Sequence, residues 1–332
     1  MRLSRLLPLF AFAAALAAGG ACAQDTDTAQ AQWNAYLDRV GRELRASGEP
    51  RDWALAATVF RGSDADPPAD ASALLANAAS AAPDDALVQW IYLTHQPKPT
   101  GACGRDGADP ARLQRLAERE PDNAATWVML ADAAIRAGDG DGADRLLERA
   151  ASSSTFDDHM SASIDAWHAV FRRWLPPVQN PAAGMLDAES MGAVPEAIAF
   201  SEAVFQSCTS PALTAMTSVR RACDAAQAQA SDPRRYAYCA EIGQRMRGAK
   251  TGITQLMGHR LLHESGLESD ADATAFYDLY DIYQRARELK HQDDPVEIGQ
   301  MLDDWRTTGG NETEVLKRRL QRAGLSISPA QP

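Results

Sequence analysis

The spacing of the apolar residues constrains the fold of this chain more than any other feature. Over most of its 332 residues they recur every three or four positions, which is the period of an amphipathic helix. One such face, over 32–46, carries Trp33, Tyr36, Leu37, Val40 and Leu44. Alternation with a period of two, which marks a half-buried strand, is almost absent. The sequence therefore predicts an all-α protein.

The same spacing predicts further helices on both sides of a proline-rich stretch. Before it, helices are predicted over 53–60, 71–81, 85–95, 110–120, 124–137, 142–152 and 158–175. After it, they are predicted over 195–208, 211–230, 233–246, 253–264, 272–290, 295–306 and 312–323. The stretch 177–194 itself contains several prolines and glycines, and it predicts a loop or linker between the two halves.

The N-terminus has the layout of a bacterial secretory signal. Arg2 and Arg5 precede an apolar run over 6–18, and the small residues of Ala21-Cys22-Ala23 follow it. The run is too short to span a bilayer as a permanent helix, so no membrane span is predicted. We expect a signal peptide over 1–23, cleavage near Ala23–Gln24, and a periplasmic or secreted protein.

A lipid anchor on Cys22 is the alternative. Lipoprotein signals prefer a bulky aliphatic residue three positions before the cysteine, and Gly19 stands there instead. Ala21, directly before Cys22, does suit such a signal. The soluble exported form is the interpretation that we favour.

Charge and motifs argue against several classes of function. The formal net charge is −12, and no dense stripe of lysine and arginine offsets it, so nucleic acid and anionic membrane surfaces are not predicted partners. The sequence contains no nucleophile elbow, phosphate loop, dinucleotide fingerprint or kinase signature. We therefore predict no cofactor.

The cysteine count agrees with export. Once Cys22 has left with the signal, four cysteines remain, and an oxidising compartment favours two disulfides with three possible connectivities. Cys223 and Cys239 each lie eight residues from Ser231, where two antiparallel helices are predicted to turn, so they can face each other. We predict Cys223–Cys239 and, by default, Cys103–Cys208. Zinc is disfavoured because no C-x₂-C pair is present.

The stretch around Trp127 resembles a tetratricopeptide repeat, a helix–turn–helix unit of 34 residues. The matching positions, counted from Ala124, are Trp127 and Leu130 in the first helix and Ala143, Leu147 and Ala150 in the second. Three positions depart from the family pattern: Ala131, where it prefers glycine, Ala134, where it prefers an aromatic residue, and Thr155, where it prefers proline. Weaker copies start at Pro50 and Pro83, so the resemblance covers about 49–151.

The resemblance implies a right-handed α-α superhelix of stacked hairpins with a concave groove for a peptide or a protein partner. The first helix of each unit lines that groove in relatives, which makes Asn123, Trp127, Asp132 and Arg136 candidate binding residues. We predict a repeat region over 24–155, an irregular helical region over 156–325 that continues the solenoid, and a frayed tail over 326–332.

The predicted function is an exported, non-enzymatic scaffold that binds a protein or peptide in the cell envelope. One alternative is a metal-dependent envelope enzyme that uses His259 and His263, which share a helix face at i and i+4, with Glu264 beside them. Such histidines are more often ordinary surface residues, so no metal site is predicted. Another alternative is a structural protein with no dedicated ligand. The aromatic residues over 276–280 are interpreted as core packing.

Overall fold

A computed structural model describes residues 23–59, 70–95, 110–176, 188–208, 212–223, 234–289 and 294–325. These ranges contain fifteen α-helices and no strand, apart from one isolated bridge between Asn123 and Thr155. The prediction of an all-α protein is therefore confirmed. The predicted signal peptide, including Cys22, and the predicted tail 326–332 lie outside the described residues except for Ala23.

The first eight helices are α1 (Ala23–Ala46), α2 (Pro50–Ala57), α3 (Ala71–Ala81), α4 (Ala86–Thr94), α5 (Pro110–Arg119), α6 (Ala124–Arg136), α7 (Gly140–Ser152) and α8 (Met160–Arg173). The other seven are α9 (Ala188–Cys208), α10 (Ala212–Ala222), α11 (Arg235–Arg247), α12 (Gly252–Ser265), α13 (Asp270–Glu288), α14 (Pro295–Thr307) and α15 (Glu312–Arg322).

The prediction of a loop over 177–194 was wrong in its second part, because α9 begins at Ala188 and contains Pro195. Proline favours the first turn of a helix, which is why the sequence predicted a helix that begins at Pro195. An internal proline removes one backbone hydrogen bond, but buried Ala199, Phe200 and Ala203 hold α9 in a hydrophobic core. Helix α10 also ends earlier than predicted, at Ala222.

The first hydrophobic core joins the beginning of the chain to its later helices. It combines residues of α1–α4 with residues of α8, α9 and α14, including Trp167, Phe171 and Trp305. The Tyr36 hydroxyl on α1 donates to the Trp174 carbonyl over 2.7 Å. Both Nη atoms of Arg173 donate to the Asp52 carboxylate, at 2.9 and 2.8 Å. Helix α8 is thereby held against α1 and α2.

The second core contains residues of α4–α7 and α10–α12. Helix α10 packs on α6 and α11 packs on α7. The Cys223–Cys239 disulfide ties the end of α10 to α11, with 5.8 Å between the two Cα atoms, as predicted. The Cys103–Cys208 disulfide stays a prediction, since Cys103 and the side chain of Cys208 lie outside the described residues.

A third, smaller core lies among α12, α13 and α15. Its apolar members are Leu256, Leu279, Ile282, Tyr283, Ala286, Leu316 and Leu320. Arg319 is also buried there, and its Nε donates to Glu297 Oε1 over 3.0 Å. Among the described residues, no helix has the length and apolar character that a membrane span requires.

Candidate functional site

The four predicted groove residues lie on or beside α6, and Asn123 caps this helix. Asn123 Oδ1 accepts a hydrogen bond from the backbone N–H of Ala125 over 3.1 Å, which satisfies one of the open donors at the helix start. The same side chain bonds both backbone groups of Asp157, at 3.0 and 2.9 Å. Its amide therefore fastens the start of α6 to the segment that leads into α8.

Trp127 packs within the second core. It is 8% exposed, and its indole Nε1 donates to the Pro121 carbonyl over 3.0 Å. The Arg149 guanidinium on α7 lies 5.5 Å from the centre of its ring system. These contacts hold the α6–α7 hairpin together, so the structure gives Trp127 a packing role.

Asp132 lies under α10. Its carboxylate is almost fully buried, accepts two contacts from Arg221 Nη1 at 2.7 and 2.9 Å, and accepts a third from the Ser218 hydroxyl at 3.1 Å. Arg136 completes the cluster with Nη2 at 3.3 Å from Asp132 Oδ2. The structure thus brings Asp132 and Arg136 together and covers Asp132 with α10. The assignment of these residues to a binding groove stays a prediction. Helix α10 contacts the face of α6 that carries Asp132.

The two histidines of α12 have different surroundings. His259 is buried, and its ring centre lies 5.9 Å from that of Phe276. Burial lowers the pKa of His259, and the nearby Arg247 lowers it further. His263 is exposed, with Nδ1 at 2.6 Å from Glu268 Oε2. In the described part of the chain, no three histidine, cysteine, aspartate or glutamate side chains are grouped to hold a metal.

A buried histidine at the start of α8 joins three parts of the chain. His159 Nε2 lies 3.1 Å from Glu120 Oε2, and its ring centre lies 4.9 Å from that of Trp90. Burial by itself lowers the pKa of His159, but the Glu120 carboxylate outweighs this and the pKa is raised. Burial would raise the pKa of Glu120, but the contact with His159 and the Asn123 amide lower it. The pair is therefore an ion pair at mildly acidic pH.

His159 also has an unusual backbone conformation. Its φ of 56° lies in the left-handed region, and it is the only non-glycine residue with positive φ in the described part of the chain. The Asp157 carboxylate accepts a hydrogen bond from the His159 N–H over 2.8 Å. Such a conformation persists only where neighbouring contacts hold it. Here the Asp157 and Glu120 carboxylates both do so.

An aromatic patch on α13 consists of the exposed rings of Tyr277 and Tyr280 and the partly buried ring of Phe276, which packs against the third core. Tyr277 is 68% exposed and Tyr280 is 36% exposed. The Phe276 ring centre lies 5.5 Å from that of Tyr277 and 6.2 Å from that of Tyr280. Large apolar side chains that stay in contact with each other at the surface are typical of interaction sites.

The interpretation of residues 276–280 as core packing was wrong for the two tyrosines. Helical spacing contains the signal that would have found them. The buried face of α13 carries Leu279, Ile282, Tyr283 and Ala286. Tyr277 instead follows Asp270 and Thr274 along the helix, and both of these polar residues are exposed.

Comparisons of this chain with models of known protein families, with curated proteins and with solved structures find no match. The function proposed for it therefore depends on its own residues and contacts.

Proposed function

We propose that the protein is an exported, non-enzymatic helical scaffold that binds a protein or peptide partner. The exposed aromatic patch on α13 carries this proposal, because it presents rings to solvent on a protein whose other large aromatic side chains are mostly in its cores. Tyrosine is among the residues that contribute most to protein interfaces, since a rigid ring buries much surface at little entropic cost.

A stacked, tetratricopeptide-like arrangement is part of the proposal. Consecutive helices from α2 to α7 pack on one another, and α2 also contacts α4. Contact between the first helices of adjacent hairpins is what a superhelical stack requires, and the α2–α4 pair supplies one such contact. The α10–α11 pair adds to this, because its two helices pack on α6 and α7 in the order that a following hairpin would take.

The charge around the aromatic patch favours a partner with basic side chains. Asp270 and Asp278 lie on the same helix, and the whole chain carries a net charge of −12. A lysine or arginine on the partner can stack on a tyrosine ring while an aspartate offsets its charge. An exposed cation–ring contact of this kind contributes roughly 0.5–1 kcal/mol.

Site-specific photo-crosslinking tests this function. A crosslinking amino acid at Tyr277 is expected to capture one defined partner in cells that export the protein, and the same residue at Gln300, exposed on α14, is expected not to. With the purified partner, Tyr277→Ala combined with Tyr280→Ala should weaken binding about tenfold or more, as at interface tyrosines.

The matched control is Leu175→Ala, which also truncates an exposed apolar side chain, 49% exposed, but lies two residues beyond the end of α8. It should leave the affinity unchanged. Equal capture from Tyr277 and Gln300, or equal loss of affinity in the control, would contradict binding at the aromatic patch. Far-UV circular dichroism checks that all the variants remain folded.

A further inference from the structure

Two carboxylates bind the first turn of α12. Asp158, in the segment that leads into α8, is 4% exposed, and its Oδ2 accepts hydrogen bonds from the hydroxyls of Thr251 and Thr254 over 2.8 and 2.5 Å. Glu312, the first residue of α15, accepts a hydrogen bond through Oε2 from the Gly252 N–H over 2.8 Å. Three parts of the chain that are far apart in sequence are therefore joined at the start of α12.

Tyr283 of α13 lies against the same turn. It is 7% exposed, and its hydroxyl occupies the space in which a Cβ atom at Gly252 would lie. The Thr313 hydroxyl on α15 donates to Gln255 Oε1 on α12 over 2.7 Å. We refer to the residues that meet here as the carboxylate cluster, which consists of Asp158, Glu312, Tyr283 and the first turn of α12. The cluster joins the three helices of the third core, α12, α13 and α15, to the segment before α8.

Burial makes it costly to ionise both carboxyl groups of the cluster. It raises the pKa of Asp158, although the hydrogen bonds that this side chain accepts lower it. Burial also raises the pKa of Glu312, and the Asp158 carboxylate raises it further, against the Gly252 N–H, which lowers it. Removing a carboxylate from water disfavours its charged form, and a second carboxylate nearby adds repulsion. The cluster is therefore most stable when it carries fewer than two negative charges.

Other charged groups adjoin the cluster on each element that packs there. They are Asp157 and His159 beside Asp158, Arg247 and Lys250 before α12, Arg287 on α13 and Glu314 on α15. Asp157 raises the pKa of Asp158. Three of these groups have partners outside the cluster: His159 pairs with Glu120, Arg247 with Asp272, and Glu314 with Lys317. With all of these groups in place, the pKa values of both carboxyl groups are raised.

We propose that the carboxylate cluster is a pH-sensitive switch that sets how firmly α13 and α15 are held against α12. While at least one carboxyl group is protonated, hydrogen bonds join α15 and the segment before α8 to α12. When both are ionised, two negative charges share a buried site, and α13 and α15 separate more readily from α12. Because both pKa values are raised, this stabilisation is complete below the ordinary values of 3.8 and 4.5 and is lost as the pH rises through the values in the folded chain. The switch acts whether or not a partner binds α13.

Hydrogen exchange of the purified mature chain tests this switch, because amide protection reports the local opening of single helices. Protection factors, which divide out the intrinsic pH dependence of exchange, should fall in α13 and α15 by about tenfold or more as the pH rises above 4.5. A pKa difference of about one between the open and closed forms corresponds to a tenfold change. Helix α3 carries no charged side chain, so its amides are the internal reference and should change less.

Glu312→Gln stays neutral at every pH, so protection in α13 and α15 should lose most of its dependence on pH. Glu314→Gln is the matched control, because it makes the same change on the same helix at an exposed position. It should behave as the unmodified chain does. Asp158→Asn removes the other charge of the pair and should also reduce the pH dependence, which keeps the test available if Glu312→Gln does not fold. Far-UV circular dichroism checks that each variant is folded.

Three results would overturn the proposal. One is constant protection of α13 and α15 in the unmodified chain as the pH rises, a measurement that needs no variant. Another is an equal fall of protection in α3, which would indicate a general loss of stability. The third is a folded Glu312→Gln or Asp158→Asn chain whose pH profile matches that of Glu314→Gln, which would mean that the cluster does not cause the change.

Discussion

At the scale of single residues, His159 and Glu120 make the stability of the protein depend on pH. The raised pKa of His159 means that its contribution is complete below the ordinary value of 6.5 and is lost as the pH rises through the folded value. The lowered pKa of Glu120 means that its contribution is present above the ordinary value of 4.5 and is lost on further acidification. The ion pair therefore stabilises the protein most between those two pH values.

Glu120→Gln should remove this component of the pH dependence. We expect the unmodified chain to lose free energy of unfolding as the pH rises above 6.5 and the variant to lose less, because its neutral amide cannot favour protonated His159. Urea denaturation at a series of pH values measures the free energy of unfolding of the unmodified chain and of the variant. Glu118→Gln, at an exposed position on α5, is the control. Identical profiles for Glu120→Gln and the unmodified chain would contradict this assignment.

At the scale of helices, two glycines set how closely α11 and α12 cross. A Cβ atom added at Gly258 would lie 2.6 Å from the backbone oxygen of Gly243 and 2.8 Å from the backbone nitrogen of Arg247. Backbone atoms cannot rotate away as a side chain can. A methyl group at this crossing would therefore force the two helices apart.

Gly258→Ala is accordingly expected to lower the free energy of unfolding by about 1–3 kcal/mol, the usual cost of overpacking. Gly299→Ala is the matched control, because it lies inside α14 with no heavy atom within 4 Å of the added Cβ. It should be neutral or should stabilise the protein by roughly 0.5–1 kcal/mol through its better helix propensity. Chemical denaturation compares the two, and a Gly258→Ala chain as stable as Gly299→Ala would refute the close crossing.

At the scale of the whole molecule, shared helices connect the first two cores. Helix α4 places Val88 and Ile91 in the first core and Trp90 and Leu93 in the second. Tyr92 and Met257 pack against both cores. Unfolding either core would thus remove packing partners from the other.

We expect the protein to unfold in one cooperative transition. Helix content followed by far-UV circular dichroism and tryptophan fluorescence, which reports on Trp167 in the first core and Trp90 in the second, should give the same midpoint in urea. The measurement should be made without a reducing agent, so that the Cys223–Cys239 disulfide stays intact. Two separate midpoints would show that the cores unfold independently.

Features that depend on neighbours in the chain were predictable. Apolar spacing predicted the helices, and the distance of Cys223 and Cys239 from a predicted turn indicated their pairing. The same arithmetic, applied to α13, would have placed Tyr277 at the surface.

The sequence by itself determined the helical character of the chain, where most helices begin and end, and one disulfide, since backbone hydrogen bonding and apolar periodicity are local properties. Only the tertiary structure decided that Arg173 reaches Asp52, 121 positions away, and that α10 covers Asp132. These choices depend on which buried faces and charges match in three dimensions. Many pairings of amphipathic helices satisfy the same local pattern, and the complete set of contacts selects among them.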